Sequence, residues 1–327
     1  MKVRFIKEIF LCILSAILLI LSFPRFDFGV LSWIAFIPLF FSLQNKKPVI
    51  RFLLAYLMGM LFFFGTIYWL IHVTLAGMIV LVLYLAVYFG LFGLITSSSH
   101  IFFLPAAWVL LEYLRSHLLT GFGWVLLGHS QYLNPAIIQI ADITGSYGVS
   151  FLIMLVNVSI FFGMKGKVRP LIVSFICLAL TLGYGYFKLN QKREGEKIRI
   201  AVIQSNIPQE LKWREEEKEK ILDKHIDLSL ASRRDKPELI IWPETALPLV
   251  LKFNPYILGS IKAFAQAIKT PLLLGTLRYE NKNYYNSAVL FSDRGYIVQY
   301  YDKLHLVPFG EYIPLRKYLR FLETIVP

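Results

Sequence analysis

The stretch YDKLHLVPFGEYIP, Tyr301 to Pro314, places a cation at Lys303 and a carboxylate at Glu311 within eight residues. Pro308 and Gly310 stand between them and exclude a regular helix, because proline has no amide proton to donate and glycine loses the most backbone entropy. The two charges therefore belong to a strand end and the loop that follows it. Upstream, ELIIWPE (Glu238 to Glu244) reads as a short buried strand stopped by Pro243, which leaves Glu244 at its carboxyl end. Glu244 and Lys303 at two strand ends could converge at one mouth of a sheet.

The surrounding pattern supports a sheet. KIRIAVIQS (Lys197 to Ser205) is rich in β-branched residues, with Ile198, Ile200 and Val202 on one face. Glu210 to Arg233 is an amphipathic helix with Ile221, Leu222, Ile226, Leu228 and Leu230 toward a core and an acidic run, Glu215 to Glu219, in solvent. Pro255 to Lys269 suits a helix and Pro271 to Leu277 a strand. Tyr284 to Ser292 and Tyr296 to Tyr301 form a hairpin across Asp293-Arg294-Gly295. The order β-α-β-α-β-β-β predicts an α/β layered domain with some antiparallel strands over residues 197–327. It contains no glycine-rich phosphate loop and no His/Cys metal spacing.

The amino-terminal part is a different material. The 327 residues are 57% hydrophobic, and residues 1–187 carry 11 Lys+Arg against 4 Asp+Glu, while the rest carries 23 against 17. Apolar runs at 9–23, 28–43, 52–72, 77–97, 101–118, 146–164 and 170–187 predict a helical membrane domain over residues 1–190 with about seven spans, since crossing the ~30 Å hydrocarbon core takes ~20 residues. Lys2, Arg4 and Lys7 before a short apolar core resemble a signal peptide, but no small-x-small cleavage site precedes Pro24 and further runs follow, so an uncleaved first helix is expected. Alternate connectors hold Lys2, Arg4, Lys7, Lys46, Lys47, Arg51, Lys165, Lys167 and Arg169 on one side against Arg25 and Arg115 on the other. By the positive-inside rule the amino terminus is cytoplasmic and residues after Lys188 are outside. Much of the basic excess behind the net charge of +13 lies in these short connectors, where it reports membrane orientation and nucleic acid is not expected as a partner.

Between the fifth and sixth runs, GFGWVLLGHSQYLNP (Gly121 to Pro135) is an interfacial aromatic loop or a lipid-facing platform. His129, Glu112 and Asp142 lie near it as ionisable candidates. Cys12 and Cys177, the two cysteines, fall inside apolar runs, where a thiol has nothing to lower its pKa; no chemistry is assigned to either.

WPET (Trp242 to Thr245) and DKLHLVPFGE resemble the Glu and Lys segments of the nitrilase, or carbon-nitrogen hydrolase, superfamily. Together with GFGWxxLGxSQ (Gly121 to Gln131), QSNIPQELKW (Gln204 to Trp213), LIIWPETALP (Leu239 to Pro248) and YYNSA (Tyr284 to Ala288), they resemble the apolipoprotein N-acyltransferase family. The resemblance implies an α-β-β-α nitrilase-like domain on a helical membrane base, in the bacterial inner membrane with the catalytic domain on the periplasmic side. It implies transfer of an acyl chain from a phospholipid to the amino group of a diacylglyceryl-modified cysteine at an apolipoprotein's amino terminus, with no cofactor. By motif, Glu244 would be the general base, Lys303 the cation holding the oxyanion, Glu311 a carboxylate supporting Lys303, and Trp213 part of the acyl-chain entry. His305 is expected to be a packed strand residue.

The family's nucleophile is a cysteine some tens of residues beyond the lysine, and none follows Lys303 here. The sequence is therefore expected to be the amino-terminal part of the catalytic domain. An incomplete gene product, a separate chain carrying the carboxyl-terminal half, and an inactive relative all remain open. A membrane-anchored amidase and a non-catalytic membrane scaffold are the competing functions.

Overall fold

The long apolar runs become helices because in lipid every backbone polar group must bond within its own segment. The computed structural model describes residues 2–96, 102–192, 195–307 and 311, with side chains from Ile6 onward. Pro308 to Gly310 and Tyr312 to Pro327 thus lie outside the described residues. The chain divides into two compact units, residues 1–192 and 193–327.

In the first unit the helices are α1 (Lys2–Leu21), α2 (Ile37–Leu43), α3 (Pro48–Ile67), α4 (Leu75–Ile95), α5 (Phe103–His117), α6 (Pro135–Ile138), α7 (Ala141–Gly163) and α8 (Arg169–Asn190). Four segments are long and apolar enough to cross a membrane: Pro48–His72, which continues α3 through a 3-10 turn, then α4, α7 and α8. The run at 28–43 is not one helix. A 3-10 turn at Gly29–Trp33 gives way to α2, with proline in its first turn. Buried Asn157 of α7 satisfies this break: its Nδ2 donates to the Ser32 carbonyl at 2.9 Å and its Oδ1 accepts from the Phe36 amide at 2.9 Å. The ring of Phe36 packs edge-on to Trp108 at 4.8 Å in an aromatic core that includes Phe89 and Phe92.

The GFGWxxLGxSQ loop is tied into the same break. Gln131 Nε2 donates to the Gly29 carbonyl at 2.8 Å and to Ser32 Oγ at 2.9 Å, and its Oε1 accepts from Trp33 Nε1 at 3.1 Å. Glu112 Oε1 accepts from the Leu127 amide at 2.7 Å, and Arg115 donates to the carbonyls of Phe122 and Trp124 at 3.2 and 2.9 Å. Leu126 to Gly128, Ser130 and Gln131 are buried, so only Trp124, His129 and the residues from Tyr132 onward present an exposed surface. The second half of the loop is a keystone of the bundle more than a lipid-facing platform. Asp142 pairs with Lys188 at 2.8 Å and accepts from Tyr184, a tie between α7 and α8.

The second unit is a mixed sheet with one helical layer. Its strands are β1 (Ile200–Val202), β2 (Leu239–Ile241), β3 (Leu247–Val250), β4 (Leu272–Glu280), β5 (Asn283–Phe291) and β6 (Ile297–Asp302), and its helices α9 (Gln209–Lys212), α10 (Lys218–Ser232) and α11 (Pro255–Ile268). The order is β1-β2-β4-β5-β6, with β3 also paired to β4. β1, β2, β3 and β4 are parallel neighbours, while β5 and β6 turn back by hairpins. Ile221, Leu222, Ile261 and Phe264 of α10 and α11 share a core with Ile240, Trp242, Leu272, Leu274, Val289 and Phe291.

The expected helix over Glu210 to Arg233 is split, with α10 beginning only at Lys218, and Leu228 and Leu230, expected toward the core, are exposed. Two further features lie beyond the sequence reading. Ile198, Ile200 and Val202 do share a face, but it is the exposed one, with Val202 73% exposed, while Ile203 turns into the core. Three β-branched residues at alternate positions define a face without saying which face the helices will cover. β3 is an additional strand over LPLV, all four residues buried. Pro248 obscures it in the sequence, and it is tolerated because β3 pairs on one side only.

Candidate active site

β2 runs parallel to β4, β4 antiparallel to β5, and β5 antiparallel to β6. β6 therefore points the same way as β2, and their carboxyl ends lie at one end of the sheet. Glu244 follows β2 by three residues and Lys303 follows β6 directly. The WPET turn reaches this place by lying against β4 at Gly275. A Cβ there would stand 2.4 Å from the Thr245 nitrogen and 2.5 Å from the Pro243 carbonyl oxygen, so only glycine admits the approach.

The convergence is direct. Lys303 Nζ lies 3.0 Å from Glu244 Oε1, and 3.0 and 2.9 Å from the two carboxylate oxygens of Glu311. Glu311 is pinned by the Val307 amide, which donates to its Oε2 at 2.7 Å. A fourth residue joins the three: Asn286 of β5 donates from Nδ2 to Glu244 Oε1 at 2.6 Å and to Glu311 Oε1 at 3.1 Å, while its carbonyl accepts from the Lys303 amide at 2.8 Å. The sequence reading quoted Asn286 within YYNSA but gave it no role. The one hint was a carboxamide in a hairpin strand, with four hydrogen-bonding positions to satisfy, but nothing local named its partners.

Electrostatically the cluster is two acids around one base. Partial burial works against the Lys303 ammonium, but hydrogen bonds to Glu311 and Glu244 outweigh it and hold its pKa above the ordinary lysine value. For Glu311, burial raises the pKa, and the Val307 amide, Lys303 and Asn286 together bring it below the usual carboxylate range. The Glu244 side chain is 64% exposed, so a substrate can reach it while Lys303 and Asn286 fix its orientation. The group can accept a proton at Glu244 and offer ammonium and amide donors to a developing oxyanion.

Trp213 ends α9 and is 55% exposed, adjacent to Lys212, whose Nζ donates to the Glu244 carbonyl at 3.3 Å. It is not brought into the cluster of charges. His305 is exposed in a bend beyond the end of β6, and is not the packed strand residue expected. The strand stops at Asp302, whose carboxylate accepts from Ser287 Oγ at 2.6 Å and Arg278 at 2.9 Å. Cys12 and Cys177 both belong to helices of the first unit. Among the described residues, no group of three or more His, Cys, Asp and Glu side chains could hold a metal ion.

Two family models match the chain: the apolipoprotein N-acyltransferase N-terminal domain over residues 15–159, and carbon-nitrogen hydrolase over residues 199–323. The second accounts for the mixed sheet and its helix layer as a carbon-nitrogen hydrolase fold. An apolipoprotein N-acyltransferase of Geobacter metallireducens is 35% identical over 351 positions, which cover 98% of this chain and 67% of the relative. Similar proteins of the same name from Pasteurella multocida and Allorhizobium ampelinum are 31% and 33% identical, over 97% and 70% of this chain. This chain spans 66% of the Pasteurella relative's length and 47% of the Allorhizobium one's. With one family model on each unit and a relative 35% identical over 98% of this chain and 67% of its own length, the chain belongs to the apolipoprotein N-acyltransferase family.

Proposed function

We propose that this chain supplies the base and the oxyanion-holding cation of an enzyme that moves an acyl chain from a phospholipid to the amino group of an apolipoprotein's diacylglyceryl-modified terminal cysteine. The observation that supports it most is the meeting of Glu244 and Glu311 at one end of the sheet, both within 3.0 Å of the Lys303 ammonium, in a chain of this family. Glu244 takes the proton of a thiol, and the thiolate attacks the phospholipid ester carbonyl. Lys303 holds the oxyanion, and the leaving lysophospholipid alkoxide recovers the proton. The lipoprotein's amine then attacks the thioester, forming the amide and returning the thiol. Glu311 keeps Lys303 in position, and Trp213 lines the approach of the acyl chain.

The thiol is neither Cys12 nor Cys177; the resemblance puts it further along the sequence than Lys303. Membrane placement follows the charge pattern: the amino terminus is cytoplasmic, and seven crossings carry the second unit to the outer side of the inner membrane. α1, the broken 28–43 segment and α5 add three crossings to the four long apolar segments. The partners are then the phospholipid donor, the apolipoprotein acceptor and the surrounding lipids.

The test uses membranes expressing the coding region as it stands in the genome, supplied with labelled phospholipid and a diacylglyceryl-cysteine peptide. N-acylated peptide is expected from the wild type and from Cys12→Ser and Cys177→Ser. Glu244→Gln should lower the rate by roughly 10²–10⁴-fold and Lys303→Met by roughly 10²–10³-fold. Full transfer by Glu244→Ala and Lys303→Ala would leave a membrane scaffold as the reading. Hydrolysis of a small amide without any lipid requirement would replace it with an amidase.

A further inference from the structure

The turn between α7 and α8 has a shape set by its own backbone. α7 stops at Gly163, and Gly166 takes a φ of +82°. That conformation lets the Lys167 amide reach back to the Phe162 carbonyl at 3.0 Å and the Gly166 amide to the Gly163 carbonyl at 2.9 Å. Such a closure commonly packs the residue after the glycine against the one whose carbonyl it bonds, and the Lys167 ammonium stands 5.1 Å from the centre of the Phe162 ring. Lys165 lies one helical turn beyond Phe161 and places its ammonium 4.3 Å from that ring. The two rings are 5.7 Å apart, so two ammoniums are held over adjacent aromatic faces. They sense each other: partial burial lowers the proton affinity of Lys165, and the Lys167 charge lowers it further.

Neither lysine makes a salt bridge among the described residues, and the first unit has no acid to spare. Its four are Glu8, Asp27, Glu112 and Asp142. Glu8 pairs with Lys46, Asp27 accepts from Tyr132, Glu112 accepts from the Leu127 amide, and Asp142 pairs with Lys188. The contrast falls within one helix pair, because Asp142 and Lys188 neutralise each other at the opposite end of α7 and α8. Both helices are long and apolar enough to cross a bilayer, so the short turn joining them lies at the depth of the lipid phosphates. Met164 and Val168, 64% and 61% exposed, flank the lysines, and Arg169 is exposed beside them. Side chains suited to acyl chains and cations suited to phosphate therefore stand side by side.

We propose that this turn is a docking site for an anionic phospholipid: Lys165 and Lys167 hold its phosphate, Arg169 adds a third cation, and Met164 and Val168 lie along its acyl chains. A free phosphate would leave those two apolar side chains in water, which is why a lipid is the occupant. In the topology proposed above the turn faces the cytoplasmic leaflet. The site does not rest on the acyl-transfer reading.

The melting temperature of the full chain in maltoside micelles tests it, with palmitoyl-oleoyl phosphatidylglycerol, the matching phosphatidylcholine or inorganic phosphate as the probe. Choline carries a cation that competes with the lysines, so phosphatidylglycerol should reach half of its effect at about a tenfold lower mole fraction. Lys165→Gln combined with Lys167→Gln should bring the two lipids within about twofold of each other. Lys47→Gln, which removes an exposed cation of the connector between α2 and α3, should leave the preference intact. Equal half-effects of the two lipids on the wild type would overturn the proposal, and that comparison needs no variant to fold. So would a preference that survives the double substitution, which would place the anionic lipid elsewhere on the chain. An equal loss with Lys47→Gln would replace the site with diffuse surface charge, and inorganic phosphate acting as strongly as phosphatidylglycerol would replace it with a free-anion site.

Discussion

Asn286 touches both carboxylates of the site and, through its carbonyl, the backbone of the lysine between them. Its amide donor fixes the orientation of the Glu244 carboxylate, so Asn286→Leu should cut acyl transfer by roughly tenfold to a hundredfold, as loss of hydrogen bonds to charged groups does. An unchanged rate would make Asn286 a bystander of the sheet. Glu311 has a lowered folded pKa, so its contribution to stability is present above the unfolded value of about 4.3 and lost as pH falls through the lower folded one. Lys303 has a raised one, so its contribution is present below about 10.4 and lost as pH rises through the folded value. The difference in melting temperature between wild type and Glu311→Gln should therefore be constant across neutral pH and shrink below about pH 4; a constant difference down to pH 2 would contradict the ion pair. Glu244, Lys303 and Glu311 were legible because WPET and DKLHLVPFGE together resemble two segments of a known superfamily; an acid after a strand or a lone lysine marks no site by itself. Asn286 was not, because its approach depends on the β4–β5 register, which pairs it with Leu277.

The broken segment between Gly29 and Leu43 shows how a non-helical backbone survives inside an apolar bundle. Asn157 and Gln131 take up the carbonyls and amides that a continuous helix would have paired internally. Asn157→Leu, which has the same branching but a larger volume, leaves the Ser32 carbonyl and Phe36 amide buried without these partners, at about 1–3 kcal/mol each. The expected result is a lower melting temperature of the detergent-solubilised chain, larger than that of an exposed substitution such as Val168→Thr. Equal melting would mean water replaces the side chain. In the second unit, Gly275→Ala forces the WPET turn off β4 and should abolish transfer while the circular dichroism of the sheet is kept, since the clash is with one turn and not the core. Helices α3, α4, α7 and α8 follow from apolar length alone. The 28–43 break and strand β3 do not, because the partners that make them possible lie far off in sequence.

For the whole molecule, the basic residues of alternate connectors predict which side each segment faces. Alkaline phosphatase fused after Asn190 should be active in a bacterial host and fused after Lys46 inactive; the opposite pattern would invert the chain. The two-material character of the protein, a membrane bundle followed by an α/β domain with a Glu and a Lys at strand ends, came from the sequence by itself, because hydrophobic length, alternation and proline stops are local properties. Which face of β1 is buried, which side chains close the break at Gly29–Trp33, and the meeting of Lys303 with Glu244, Glu311 and Asn286 were decided only by the tertiary structure. Each of these depends on residues tens of positions apart being brought within a few ångströms by strand order and helix packing, and no local pattern carries that distance.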